Sequence, residues 1–165
     1  MTLQVAGIVR ESIVDGPGIR YAVFVQGCPH HCPGCHNPET HPFAGGSAMD
    51  TAGIFAQFQA DPLLKGITLS GGEPFCQAEP LAELARLVHG TGKDVAVYTG
   101  YTFEELAASP DPAVAALLEE TDLLIDGPFV EAQRDIDLLF RGSSNQRLID
   151  AKASLTAGRA VLWEP

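Results

Sequence analysis

The sequence predicts an α/β fold built as an incomplete parallel β/α barrel. Three observations carry that prediction. Short β-branched runs alternate with segments of helical periodicity, in about five or six strand–helix units, which implies parallel neighbours and right-handed crossovers. The chain has 165 residues, enough for a core but short of the ~200–250 residues of an eight-unit barrel. Glycine- and cysteine-bearing segments follow the carboxyl ends of the strands, where α/β folds gather their chemistry.

Residues 20–26, Arg-Tyr-Ala-Val-Phe-Val-Gln, are rich in β-branched and aromatic side chains and read as a buried strand running into a cysteine loop. Residues 51–59 place Ile54, Phe55 and Phe58 at helical spacing, with Asp50 as the N-cap. Residues 66–70 read as a strand that stops at Gly71-Gly72. Residues 78–89 form the clearest helix: Leu81, Leu84, Ala85 and Val88 share one face, and Glu79, Glu83 and Arg86 lie away from it. Residues 94–99 make a third strand, and 103–108 and 111–120 are helical, broken by Pro110 and Pro112. Residues 122–126 are a short apolar strand ending at Gly127-Pro128. The stretch 127–145 reads as loop, and 146–150 and 159–163 as two last strands. No internal repeat or linker interrupts the series, so a single domain over residues 1–165 is expected.

Hydrophobic residues make up 45% and charged residues 19%, a globular composition. Ten Lys+Arg against 21 Asp+Glu give a formal net charge of −11. So acidic a chain is ill-suited to phosphate backbones or anionic lipid, and neither nucleic acid nor membrane is an expected partner. No apolar run approaches the ~20 residues of a membrane span. The opening MTLQVAGIVRES lacks a basic-then-apolar signal, so a cytoplasmic location is expected.

Three of the four cysteines fall in Cys28-Pro29-His30-His31-Cys32-Pro33-Gly34-Cys35, and Cys76 stands alone. A secreted disulfide framework spreads its cysteines; this clustering does not. Two prolines and a glycine hold the segment out of helix and strand, and an irregular loop can turn several thiolates toward one point. Accidental clustering of small apolar residues is the bland reading, but buried cysteine rarely sits among Pro, Gly and His. Zinc would need a fourth ligand from His30, His31 or His36 and ordinarily a second ligand pair, which the sequence does not supply. Three thiolates at CxxxCxxC spacing suit a 4Fe-4S cluster with one iron left open to a substrate or cofactor. Cys76 reads as a small packed hydrophobe, and Asp15 with Arg20 as an ion-paired turn shaping the cluster rim.

The CxxxCxxC loop followed by the strand-terminal Gly71-Gly72-Glu73 resembles the radical S-adenosylmethionine (SAM) enzymes. Asp15-Gly16-Pro17-Gly18-Ile19-Arg20, with Phe24, Gly27 and Cys28, resembles the activases that install glycyl radicals. Tyr98-Thr99-Gly100-Tyr101-Thr102 and Arg141-Gly142-Ser143-Ser144-Asn145-Gln146-Arg147 resemble the branch acting on anaerobic ribonucleoside-triphosphate reductase. The similarity runs from about residue 5 to the C-terminus. It departs at Gly34, where an aromatic residue is common, and at His36, where a tyrosine is common.

The resemblance implies a partial β/α barrel of the radical SAM type, with a 4Fe-4S cluster and S-adenosyl-L-methionine as cofactors. Cys28, Cys32 and Cys35 would each bind one iron, and SAM would chelate the fourth. Its reductive cleavage would yield a 5′-deoxyadenosyl radical able to take hydrogen from a glycine Cα on a glycyl-radical enzyme. Gly71 and Gly72 would let backbone approach the ligand, and acceptors of this motif, Glu73 included, would hold the methionine ammonium. Taken alone, the same three residues read as a strand-to-helix turn. Thr99 and Gly100 would let SAM pass closely, or simply end a strand. Asp126 would orient SAM, directly or through a monovalent cation, or cap the Gly127-Pro128 turn. Arg147 and Asn145 would bind the SAM carboxylate or the partner's glycine loop, or anchor their own loop. A flavodoxin-like electron donor is implied by family alone. Two other readings compete: an activase of a formate-lyase-type enzyme, and a non-enzymatic zinc-binding interaction module.

Overall fold

A computed structural model describes residues 1–165. Strands β1 (Thr2–Ser12), β2 (Arg20–Val25), β3 (Ser47–Asp50), β4 (Gly66–Gly71), β5 (Asp94–Tyr98), β6 (Leu123–Asp126) and β7 (Arg147–Asp150) form one sheet. Its order is β3-β1-β2-β4-β5-β6-β7. The four central strands, β2, β4, β5 and β6, are parallel. The additions at both edges, β1 with β3 and β7 on the far side, are antiparallel. Four parallel strands leave room for three crossovers, fewer than the five or six units that the alternation suggests.

Of helices α1 (Thr51–Gln59), α2 (Ala78–His89), α3 (Phe103–Ala107), α4 (Pro112–Glu119) and α5 (Ala151–Ala157), all but α2 start at a residue whose side chain caps them. The Asp50 and Asp111 carboxylates accept the amides of Ala52 and Ala113, and Thr102 with Glu105 forms a reciprocal capping box. Helix α2 buries Leu81, Leu84, Ala85 and Val88 as its periodicity requires, with Glu79 in its first turn and Arg86 and His89 in its last.

Period-two alternation sends Val95, Val97 and Leu124 into the main core beneath α1, α2 and α4. Ala96, Leu123 and Ile125 face the other side, with Tyr98 and Trp163 against them. One face is therefore sealed by helices, while the concave inner face stays open toward the carboxyl ends, the geometry of an incomplete barrel. The β2–β4 register pairs Val25 with Gly71, so the cysteine loop and Gly72-Glu73 leave the sheet side by side.

Several expectations need correction. Residues 159–163 are not a strand and contribute only the bridge between Ile149 and Leu162. Residues 151–157 are instead helix α5, capped by Asp150 and closed by Gly158 at φ 71°. Cys76 is exposed rather than packed. Arg20 does not pair with Asp15. Asp15 accepts the Ser12 hydroxyl at 2.5 Å, whereas the fully buried Arg20 runs to the amino end of the sheet and meets Asp94 at 2.6 Å. Gly16 makes room for that path, since a Cβ there would lie 2.8 Å from Arg20 Cδ. No helix is long and apolar enough to cross a membrane.

Candidate functional site

At the carboxyl ends of the parallel strands lies a cavity of about 880 Å³. Cys28, Cys32 and Cys35 line it together with Gly71, Gly72 and Thr99, and residues 134–142 cover it from the long loop. Its volume lies within the range of small-molecule and cofactor sites.

The cysteine loop is shaped by its own backbone. Gly27 adopts φ 103°, and its amide donates to the Thr40 carbonyl at 2.7 Å; the Cys28 amide donates to the His41 carbonyl at 3.0 Å. The buried Gln26 side chain donates to the Glu39 and Pro42 carbonyls at 3.2 and 2.6 Å, tying down the returning leg. The Cys35 amide reaches the Cys32 carbonyl at 3.2 Å, with Gly34 at φ 74°. That tight turn explains glycine at 34, because an aromatic side chain there would sit in the left-handed region.

All four cysteines are free. Burial and the neighbouring Glu73 charge raise the Cys28 thiol above its ordinary pKa, with backbone amides of the loop opposing. Cys76, exposed and outside the cavity, still has neighbouring atoms that partly desolvate its thiol, and this with the same carboxylate pushes it up to about 11. Nowhere do three Cys, His or carboxylate side chains already converge as a set that would hold a metal ion. The three loop thiols nonetheless supply soft donors on one wall of one cavity, and their chemistry fits an iron–sulfur cluster.

The other sequence-predicted residues divide into two groups. Gly71, Gly72 and Thr99 face the cavity. The two glycines also serve a close approach within the chain: a Cβ on Gly71 would strike the backbone of Phe24 and Val25, and one on Gly72 that of Gly27. Glu73, Asp126 and Arg147 do not line the cavity, and their polar atoms have internal partners. Glu73 is 0% exposed and accepts from the Phe75 amide, the Thr99 hydroxyl, the Gly100 amide and His30 Nε2 at 3.0, 2.9, 2.8 and 2.6 Å. Asp126 accepts the Phe103 amide at 2.8 Å, at the start of α3, and Arg147 Nε and Nη2 at 3.0 and 2.5 Å. Arg147 also meets Glu104 at 2.6 Å. Hydrogen bonds donated to Asp126 and then to Glu104 hold the guanidinium charge still more firmly than usual, and Arg147 in turn lowers the Glu104 carboxyl. Asn145 donates to the Pro128 carbonyl at 2.7 Å and accepts the Ser143 hydroxyl at 2.6 Å, anchoring its own loop.

For two residues that the sequence singles out, Tyr98 and His30, the observed roles were not anticipated. Tyr98 donates its hydroxyl to the Phe140 carbonyl at 2.7 Å and so holds the covering loop over the cavity. Its signal is an aromatic residue on the inward phase of β5. His30 carries no periodic signal because it sits in irregular backbone.

A family model described as "4Fe-4S single cluster domain" matches residues 14–149. The anaerobic ribonucleoside-triphosphate reductase-activating protein of Escherichia coli (strain K12) is 38% identical over 143 residues, covering 81% of this chain and 90% of that protein. The protein of the same name from Pasteurella multocida is 39% identical over 142 residues, 81% of this chain and 89% of that one. That of Enterobacteria phage T4 is 35% identical over 141 residues, with coverage of 82% and 86%. Among solved structures, QueE from Escherichia coli superposes with a TM-score of 0.51 at 17% identity, covering 76% of this chain and 71% of that one, a likeness of fold. The open half-barrel, the three-thiol wall and these near full-length matches converge: the chain belongs to the family of anaerobic ribonucleoside-triphosphate reductase-activating proteins, within the 4Fe-4S single cluster domain.

Proposed function

We propose that this chain is a radical SAM activase that generates a glycyl radical on anaerobic ribonucleoside-triphosphate reductase. One observation carries the reading: three free cysteines line a single cavity at the strand ends of a chain that matches reductase-activating proteins over most of its length. A 4Fe-4S cluster and SAM, when bound, supply one-electron cleavage of a sulfonium and the hydrogen-abstracting power that no side chain has.

The chain's own part is binding, orientation and exclusion of water. Cys28, Cys32 and Cys35 are assigned as the three cluster ligands. Gly71-Gly72 and Thr99 line the space for SAM at the ends of β4 and β5, the Thr99 hydroxyl being held by Glu73. Asp126 and Arg147 act from behind, setting where β6 ends and β7 begins, and Glu73 joins the cysteine loop to the segments that follow β4 and β5. Leu138, Leu139 and Phe140 lie along the cavity and limit water within it. The family's work suits one domain over residues 1–165, a cytoplasmic setting and a flavodoxin-like electron donor.

The test is anaerobic mixing of the reconstituted chain with anaerobic reductase, SAM and reductant. A glycyl doublet in electron paramagnetic resonance is the expected result. A chain loaded with iron and acid-labile sulfide that cleaves SAM but yields no doublet would remove the reductase as its partner.

A further inference from the structure

Between Cys28 and Cys35, His30 alone makes a side-chain hydrogen bond, and it reaches the segment that follows β4. The atom it meets belongs to Glu73, a carboxylate with no exposure to water. A buried charge must be answered by donors, and Glu73 has four. Three of them, the Phe75 amide, the Thr99 hydroxyl and the Gly100 amide, belong to the segments that end β4 and β5. The fourth, His30 Nε2 at 2.6 Å, belongs to the cysteine loop. The imidazole also stands edge-on to Tyr101, with ring centroids 4.5 Å apart.

Gly100 is the seat for that ring. A Cβ at 100 would come within 2.7 Å of His30 Nε2 and 2.8 Å of its Cγ. The φ of Gly100 lies outside the left-handed region, so the glycine serves the space the ring occupies rather than a backbone conformation. Two positions far apart in sequence are thus shaped to one contact.

The geometry points to His30 as a positioning residue for the cysteine loop. By donating Nε2–H to Glu73, it clamps the loop against Thr99-Gly100 and sets the depth at which Cys28, Cys32 and Cys35 meet the cavity. What the thiols hold rests on the function proposed above; the clamp itself does not.

Amide hydrogen exchange on the purified chain reads the clamp directly. In His30→Leu, and independently in Gly100→Ala, which displaces the ring while leaving the histidine in place, amides 28–35 exchange about tenfold faster, the scale of one lost charge-assisted hydrogen bond. His30→Gln, which can still donate to Glu73, exchanges within about threefold of the parent. After reconstitution, both loosened variants need about tenfold more SAM to change the resonance of the reduced cluster, and His30→Gln restores the response. Parent-like exchange in 28–35 in either His30→Leu or Gly100→Ala overturns the clamp. If His30→Leu does not fold, Gly100→Ala decides alone. A parent chain whose loaded cluster ignores SAM would instead sink the radical SAM reading, with the exchange result still deciding the clamp.

Discussion

Cys32 and Arg147 show how differently two residues of one neighbourhood respond to removal. Cys32 is half-buried on the cavity wall, and its side chain makes no hydrogen bond within the protein. Cys32→Ala is therefore expected to leave the thermal midpoint nearly unchanged and to abolish SAM cleavage under dithionite. Retained cleavage would show that the assigned ligand set is wrong. Arg147 is the reverse case. Its removal leaves Asp126, 1% exposed, with the Phe103 amide but without its guanidinium. Breaking such a pair costs several kcal/mol when both partners are buried; with the Arg147 side chain 33% exposed, about 2 kcal/mol is expected for Arg147→Ala. Urea titration checks this, and an unchanged midpoint would mean that water already solvates Asp126. The sequence offers Arg147 as a contact to SAM or the partner's loop, or as a loop anchor; its ion pairs put the expected weight on folding. That Cys28, Cys32 and Cys35 come to one wall was legible, because three thiols in one short Pro- and Gly-bearing loop cannot lie far apart. The internal bonding of Glu73, Asp126 and Arg147 was not legible, since their partners at His30, Phe103 and Glu104 are up to 43 residues away in the chain.

At the scale of elements, legibility follows locality. The periodicity of α2 and the apolar runs of β2, β4 and β5 encode themselves. Strand β1 does not, because register shifts between Val5 and Gly7 and between Val9 and Ser12 break its alternation. Strand β3 is four mostly exposed residues whose extended form depends on pairing with β1. Helix α5 is seven residues long and stands on its Asp150 cap and a contact with α4 rather than on periodicity. The loop 127–145 was read correctly as irregular, yet its attachment is invisible locally: the Tyr98 hydroxyl reaches the Phe140 carbonyl across 42 residues. Phe140 itself holds φ at 59°, an uncommon conformation for a residue with a Cβ. Tyr98→Phe removes the hydrogen bond while keeping the ring. It is expected to cost about 1 kcal/mol and to speed tryptic cleavage after Arg134 or Arg141. Equal cleavage rates in parent and variant would show that the loop is held by its apolar contacts alone.

Across the whole molecule, the cavity lies at one end of the sheet with the Arg147–Asp126–Glu104 pairs beside it, and a second set of ion pairs lies at the other end. The carboxyl ends carry glycines, thiols and the covering loop. The amino ends carry Arg20–Asp94 and Lys65–Asp94, each at 2.6 Å, and a histidine held between two carboxylates. His89 Nδ1 meets Glu120 and Nε2 meets Asp122, both at 2.7 Å, joining the end of α2 to the end of α4 and the start of β6. Asp122 also accepts the Val95 amide at 2.9 Å, so β5 is tied to the same point. Burial alone would lower the His89 pKa, but the hydrogen bonds it donates to Asp122 and Glu120 outweigh it and raise the value above 6.5. A raised folded-state pKa contributes stability that is fully present below the unfolded value of about 6.5 and is lost as pH climbs through the folded value. Beyond that point one ring nitrogen turns a lone pair toward a carboxylate. The thermal midpoint should therefore fall as pH rises above about 6.5, and His89→Gln should flatten that limb while starting lower on its acid side. The Met1 amino group, raised above 8.0 by its hydrogen bond to Glu83, adds a similar limb at higher pH, but it is common to parent and variant and cancels in their difference. Because this device lies at the amino end, His89→Gln should retain the SAM-dependent change in the cluster's resonance. Parallel pH profiles for parent and His89→Gln would show that the clamp between Glu120 and Asp122 stores no proton-linked stability.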